Sequence, residues 1–194
     1  MKSICVFCGS SLGQRAEYFA TAQELGKSLA AEGITLIYGG GNLGLMGAVA
    51  DACMENGGRV IGVIPRALLE REHGHHGLTR LEVVETMHKR KARMAELADG
   101  FIALPGGFGT LEELVEMLTW AQLGIHDKPV AIVDTLGFFS PLMEMFDRAG
   151  KEGFIRKAHR GLLIRSATPK NAVNSLKSFR KGKGKRPRVP TPGA

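Results

Sequence analysis

No apolar run in these 194 residues approaches the ~20 that a membrane span needs, and the first residues, Met1-Lys2, lead straight into strand-like sequence. The expectation is a soluble cytoplasmic protein with no leader segment. Three cysteines are too few for a disulfide framework. Cys5 and Cys8 form a C-x-x-C, but a strand through them sends the two thiols to opposite faces, and zinc would need further ligands. They are read, with Cys53, as small packing residues. Acidic residues are missing from Lys170 to Ala194, where eight Lys or Arg fall; the preceding residues hold 18 basic against 19 acidic. The net charge of +7 therefore belongs to a tail. Its last part, 181–194, is rich in Gly, Pro and Lys and is read as disordered. No aromatic residue follows Phe179 to stack bases, so a solubilising tail is preferred to a nucleic-acid arm.

What is present is a regular alternation. Ser3 to Cys8 reads as a first strand, followed by Gly9-Ser10-Ser11 and a helix over 15–31. Ile34 to Tyr38 is a second strand, running into Gly39-Gly40-Gly41-Asn42-Leu43-Gly44 and a helix through Asn56. A third strand, Arg59 to Ile64, stops at Pro65. After a long polar loop, 66–80, come a strand over 81–85, a helix over 87–98, a strand over 101–104, a helix from Thr110, a strand over 130–133, a helix over 138–150, a short apolar run over 162–164 and a helix over 169–179. Apolar strands alternating with helices predict a parallel sheet covered on both faces, a Rossmann-like, doubly wound α/β domain over 1–180. In such folds ligands bind at the carboxyl ends of the strands, where each glycine turn falls.

Two glycine turns invite a phosphate. Gly39-x-Gly41-x-x-Gly44 fits the dinucleotide fingerprint, but no Asp or Glu lies between Gly57 and Leu69 to hold a ribose, which disfavours NAD. Close packing and a phosphate contact stay equal alternatives there. The second turn, Pro105-Gly106-Gly107-Phe108-Gly109, joins a strand to a helix start, where amides and helix dipole favour an anion. Glu112 and Glu113 fall in what reads as the first helical turn. Thr110 and Glu113 also match a capping box, and on those residues alone capping is preferred to catalysis.

On the 87–98 helix, Met87, Met94, Ala95, Leu97 and Ala98 form an apolar stripe. Arg90 falls within it and Lys91 beside it. An arginine on such a stripe needs an anion or must snorkel outward. A structural salt bridge and a ligand role stand even on periodicity alone.

Met87-His88-x-Arg90-Lys91 followed by Pro105-Gly106-Gly107-x-Gly109-Thr110-x-x-Glu113 resembles the paired signature of the LONELY GUY family, the cytokinin riboside 5′-monophosphate phosphoribohydrolases, whose members often carry the label lysine decarboxylase. Cys8-Gly9-Ser10-Ser11, Tyr38-Gly39-Gly40-Gly41 and Thr119-Trp120-Ala121-Gln122-Leu123-Gly124 extend the likeness over most of 3–166. The resemblance implies a Rossmann-like homodimer that hydrolyses the N-glycosidic bond of a purine nucleoside 5′-monophosphate, AMP or an N6-substituted AMP, to free base and ribose 5-phosphate, without cofactor or metal. It implies that Arg90 and Glu113 are the catalytic pair. Substrate contacts are implied at Ser10, Gly40, Glu72, Met87, Lys91, Gly106, Gly107, Gly109, Thr110, Glu112 and Thr119. Membrane and nucleic-acid partners are not expected. Thr86 departs from an Asp common before Met-His, and the His-rich loop 73–76 is unusual. A decarboxylase would need a lysine Schiff base with pyridoxal phosphate, for which no motif is present. The alternative is a carrier of the same fold that holds a nucleotide or molybdenum cofactor without cleaving anything. With the paired motif in register, Glu113 reads as a catalytic carboxylate held in place by a cap.

Overall fold

The computed structural model describes residues 1–69, 74, 75 and 77–179. Glu72 and the tail over 181–194 lie outside the described residues. The chain runs β1 (Ser3–Phe7), α1 (Ala16–Ala31), β2 (Thr35–Tyr38), α2 (Gly44–Glu55), β3 (Val60–Pro65), α3 (Arg66–Leu69), β4 (Arg80–Val84), α4 (Met87–Leu97), β5 (Phe101–Ala103), α5 (Phe108–Leu123), β6 (Val130–Val133), a 3-10 turn at Thr135–Gly137, α6 (Ser140–Lys151), α7 (Lys157–Arg160), β7 (Leu163–Ser166) and α8 (Pro169–Ser178). The strands form one sheet in the order β4-β3-β2-β1-β5-β6-β7, and every named pairing is parallel.

Strands buried on both faces need apolar residues at successive positions, and β1 and β6 are buried at each one. Period-two alternation then divides the core. Ile4, Val6 and Cys8 pack with Leu25 and Leu29 of α1, Val49 of α2 and Leu176 of α8 on one face. Cys5 and Phe7 pack with Met94 of α4, Leu114 and Met117 of α5 and Phe139 on the other. The expected separation of Cys5 from Cys8 follows from this alternation, and all three cysteines are buried and unpaired. Burial pushes the Cys5 and Cys8 thiols far up and the Cys53 thiol up to about 11, so each stays protonated near neutrality.

Three boundaries correct the sequence reading. Pro65 does not end β3 early: it is the last residue of the strand, in register with Val84 of β4 and beyond the stretch paired with β2, which stops at Gly62. The loop after it opens with the single turn α3. The third correction is α5, which starts at Phe108, two residues before Thr110, so Glu112 and Glu113 sit in its second turn.

Candidate active site

The strand order reverses between β1 and β5, which leave the sheet centre in opposite directions. Such a switch point opens a crevice at the strands' carboxyl ends. Three glycine turns meet there. The turn after β1 touches the one after β5, since the Gly9 amide donates to the Pro105 carbonyl at 3.0 Å. It also touches the start of α2, where Leu45 N donates to Gly9 O at 3.0 Å. Gly44, at φ +61°, lies so close to Ser10 and Ser11 that a side chain would collide with their backbone. Ser10 itself is exposed at the rim.

The turn after β5 carries the anion chemistry. Gly107 is the N-cap of α5 in extended conformation, and no side chain caps the helix. The expected capping box is therefore absent: Thr110 lies inside the first turn, 4% exposed, with its hydroxyl packed where a Cβ on Gly106 would fall. Around Gly107 and Gly109 the corresponding positions meet nothing within 4 Å. The uncapped helix start thus keeps its amides and positive dipole end on an open side.

Arg90 comes from the first turn of α4. Thr86 caps that helix by accepting from Lys89 N at 3.2 Å, which gives the threonine a structural job at the position where the resemblance anticipates Asp. Arg90 is only 5% exposed. Its Nε donates to Val63 O at 3.1 Å and its Nη2 to Gly39 O at 3.0 Å. Nη1 lies 3.8 Å from Met87 Sδ, and the rest of Met87 is largely exposed. The guanidinium fills the space above Gly39, where any Cβ would strike Nη2. The Val63 and Gly39 carbonyls fix the orientation of the guanidinium. Next to it Gly40, buried and at φ +79°, makes the backbone bend.

Glu113 is half-buried on α5. Its charge and that of Arg90 both reach the Cys5 thiol: after burial itself, Glu113 raises that group further and Arg90 lowers it. Glu113 also bears on Cys8. Both side chains therefore lie near enough to β1 for their charges to be felt at Cys5. Lys91, 7% exposed, bridges to Glu112 and, at 3.1 Å, to Glu116 Oε1. Burial pulls its ammonium down, while the hydrogen bonds it donates to Glu112 and Glu116 prevail and raise it. It therefore clamps α4 to α5 with its charge balanced.

A scan against family models matches residues 46–176 to a family described as "Possible lysine decarboxylase". A rice (Oryza sativa subsp. japonica) protein named cytokinin riboside 5′-monophosphate phosphoribohydrolase is 49% identical over 178 residues, covering 92% of this chain and 74% of that protein. An Arabidopsis thaliana protein of the same name is 47% identical over 178 residues, covering 92% and 84%. The chain belongs to the LONELY GUY family. Among solved structures, a molybdenum cofactor carrier protein from Chlamydomonas reinhardtii superposes with TM-score 0.67 at 23% identity, covering 91% of this chain and 96% of that one. A molybdenum cofactor binding protein from Rippkaea orientalis gives 0.68 at 22%, covering 92% and 97%. At these identities the likeness shows the fold alone.

Against the residues implied by family membership, the structure gathers Ser10, Gly40, Met87, Arg90, Gly106, Gly107, Gly109, Thr110 and Glu113 at the strands' carboxyl ends. It does not bring Thr119 there. Eleven residues past Phe108, roughly 16 Å along α5, Thr119 is exposed, gives its hydroxyl to Val115 O at 2.8 Å, and lines a cavity of about 200 Å³ with Val115, Leu118, Phe146 and Leu162. Sequence reasoning missed Gly39 as the seat of Arg90. The only signal is the Gly39-Gly40-Gly41 run, where the sequence leaves close packing and a phosphate contact as equal alternatives; at Gly39 the packing alternative holds. Among the described residues no group of three or more His, Cys, Asp or Glu is arranged to hold a metal ion.

Proposed function

We propose that this chain hydrolyses the N-glycosidic bond of purine nucleoside 5′-monophosphates, AMP or a cytokinin-type N6-substituted AMP, to the free base and ribose 5-phosphate. The observation that supports the reading is an uncapped, open start of α5, whose second turn carries Glu113, together with the buried Arg90 seated on the Gly39 carbonyl after β2. The printed activity of the plant relatives supports it.

The chemistry divides between the two ends of the substrate. Amides of the turn from Gly106 to Thr110 receive the 5′-phosphate. As the C1′–N bond breaks, its electron pair leaves with the base and positive charge builds on the ribose. The Glu113 carboxylate stabilises that charge and orients the water that attacks C1′; the water's oxygen bonds to C1′, its proton is taken by the carboxylate, and the departing base gains a proton in turn, which returns Glu113 to its ionised form. Arg90, seated on two carbonyls, keeps Glu113 ionised and aligned by its charge. Lys91 acts through Glu112 and Glu116 by holding α4 against α5.

The assembly that fits is a cytoplasmic homodimer. No described helix is long and apolar enough to cross a membrane. The cavity on the outer side of α5 is bordered by Phe146, Ile155 and Leu162, and Phe154, Met145 and Leu123 stand exposed nearby in the chain. A second copy covering this surface would bury them.

The test is to incubate the protein with AMP and with N6-isopentenyl AMP and to follow free base and ribose 5-phosphate by chromatography. Wild type is expected to release both products, and Glu113→Gln to lose on the order of a hundredfold or more of the rate. Binding of both nucleotides without cleavage would establish a carrier instead. Sedimentation of the intact chain tests the dimer.

A further inference from the structure

His75 and Asp51 form a pair that none of the roles above uses. His75 is 8% exposed, and its Nε2 lies 2.8 Å from Asp51 Oδ1. An ionised carboxylate only accepts, so Nε2 carries the hydrogen and donates it. The other ring nitrogen, Nδ1, is buried with no partner among the described residues. The ring is therefore anchored at one atom and sealed at the other. Asp51 projects from α2, a helix fixed in the core through its neighbours Ala50 and Ala52, while its own side chain is half-exposed.

The main chain of the same residue reaches the glycine turn. His75 N donates to Gly40 O at 3.0 Å, and Gly74 pairs with Gly41 in an isolated antiparallel bridge. The preceding carbonyl, that of Gly39, is the one that receives Arg90 Nη2. The two carbonyls belong to consecutive peptide planes joined at Gly40, which at φ +79° is packed against Leu81 and Ile64 and has little room to rotate. Fixing the Gly40 carbonyl from outside fixes the Gly39 carbonyl within it.

We propose that His75, locked by Asp51, is the positioning residue that holds the Gly39–Gly41 turn so that the Gly39 carbonyl aims the Arg90 guanidinium. The inference rests on Arg90 belonging to the active site. The competing role is a staple that stabilises the fold and leaves Arg90 untouched, and the two differ in where the damage shows.

The experiment uses the full chain as wild type, His75→Ala, Asp51→Ala, the double variant and His75→Gln, whose amide nitrogen can replace Nε2 toward Asp51. Each is measured for thermal midpoint, for kcat and KM with AMP and N6-isopentenyl AMP, and for the Arg90 Nε–H resonance by nitrogen-15 NMR. The expected result is a fall in kcat of roughly tenfold to a hundredfold for either alanine variant, with KM little changed. The double variant should be no worse than the more damaged single one. His75→Gln should recover most of the rate. The Arg90 resonance should shift or broaden in both alanine variants and return in His75→Gln. A lowered midpoint with kcat and the Arg90 resonance unchanged would overturn the proposal, as would additive losses in the double variant. If His75→Ala does not fold, Asp51→Ala and His75→Gln decide the matter. Should wild type cleave neither nucleotide, the hydrolase reading fails, and the Arg90 resonance still decides whether His75 positions that side chain.

Discussion

The two glycine turns look alike as sequence and differ in what fills the space their missing side chains leave. After β2, Gly39 is occupied by Arg90 and Gly40 is packed against Leu81 and Ile64, whose atoms lie 3.0 and 3.2 Å from where a Cβ would stand. After β5, Gly107 and Gly109 face open space. The first turn is a seat for a protein cation and the second is room for something that is not protein. A glycine-rich strand end therefore does not announce a phosphate site by itself. What separates the cases is whether the chain fills its own vacancy, and in one of them it does so with a residue 51 positions away.

The largest effect that would break this contrast comes from filling the first turn. Gly39→Ala puts a methyl group into the Arg90 guanidinium, which cannot stay both buried and bonded to Gly39 O. Overpacking of this kind costs about 1–3 kcal/mol, read by denaturant unfolding. Nucleotide hydrolysis should fall on the order of a hundredfold through loss of Arg90 alignment. Retained activity would mean that Arg90's seat does not matter to the reaction. Filling the second turn should do the reverse. Gly109→Ala adds a methyl group to a helical position with free space, so stability should hold or rise by about 0.5–1 kcal/mol. Its damage should be confined to KM, rising roughly tenfold as the methyl group crowds the phosphate. An unchanged KM would remove the phosphate from that turn.

The contrast also explains what could be read without coordinates. The parallel sheet was legible because strands covered on both faces are uniformly apolar, as in β1 and β6, and because glycine punctuates each strand end. The start of α5 was not. Phe108 and Gly109 read as turn residues, and a tertiary contact, Thr110 packed on Gly106, overrode the local capping pattern. The single turns α3 and α7 carry too few residues to show a period. Arg90 was recognisable as a cation on an apolar stripe, but its partners are carbonyls of Gly39 and Val63, far away in sequence and without side-chain signature. Thr119 enters only through the family resemblance, and the rise of α5 carries it away from the turn.

A smaller effect tests whether Lys91 belongs with the open turn or with the closed packing. Lys91→Met keeps the buried stem and removes the charge, leaving Glu112, half-exposed, and Glu116, largely buried, without their shared cation. Because Lys91 is buried and Glu112 half-exposed, the expected loss is about 1–2 kcal/mol of stability, discounted for solvent at Glu112. KM for AMP should change little if the ammonium only clamps α4 to α5. A rise in KM approaching that of Gly109→Ala, with stability intact, would move Lys91 to the phosphate.

The smallest effect lies at the other end of α5, and it should leave the site alone. His126 Nε2 donates to Met117 O at 3.0 Å, its Nδ1 accepts from Lys128 N at 3.1 Å, and its ring packs on Phe101 with centroids 5.2 Å apart. Both ring nitrogens are thus used by the neutral form, and a proton added at Nδ1 would displace the Lys128 amide. Burial, the largest cause, holds this imidazole below its ordinary value of 6.5. The sign follows: the unfolded chain takes up the proton first as pH falls, so stability is fully present above about 6.5 and declines as the pH drops through that value toward the lower folded one. The thermal midpoint of wild type should therefore fall between pH 7 and pH 5 by more than that of His126→Gln, whose amide bonds without titrating, by a difference on the order of a few degrees. KM for AMP at pH 7 should be the same in both proteins, because His126 ties the C-terminal end of α5 to β5, at the opposite end of the helix from the turn proposed to receive the phosphate. A pH-dependent midpoint that is identical in the two proteins would place the titrating group elsewhere.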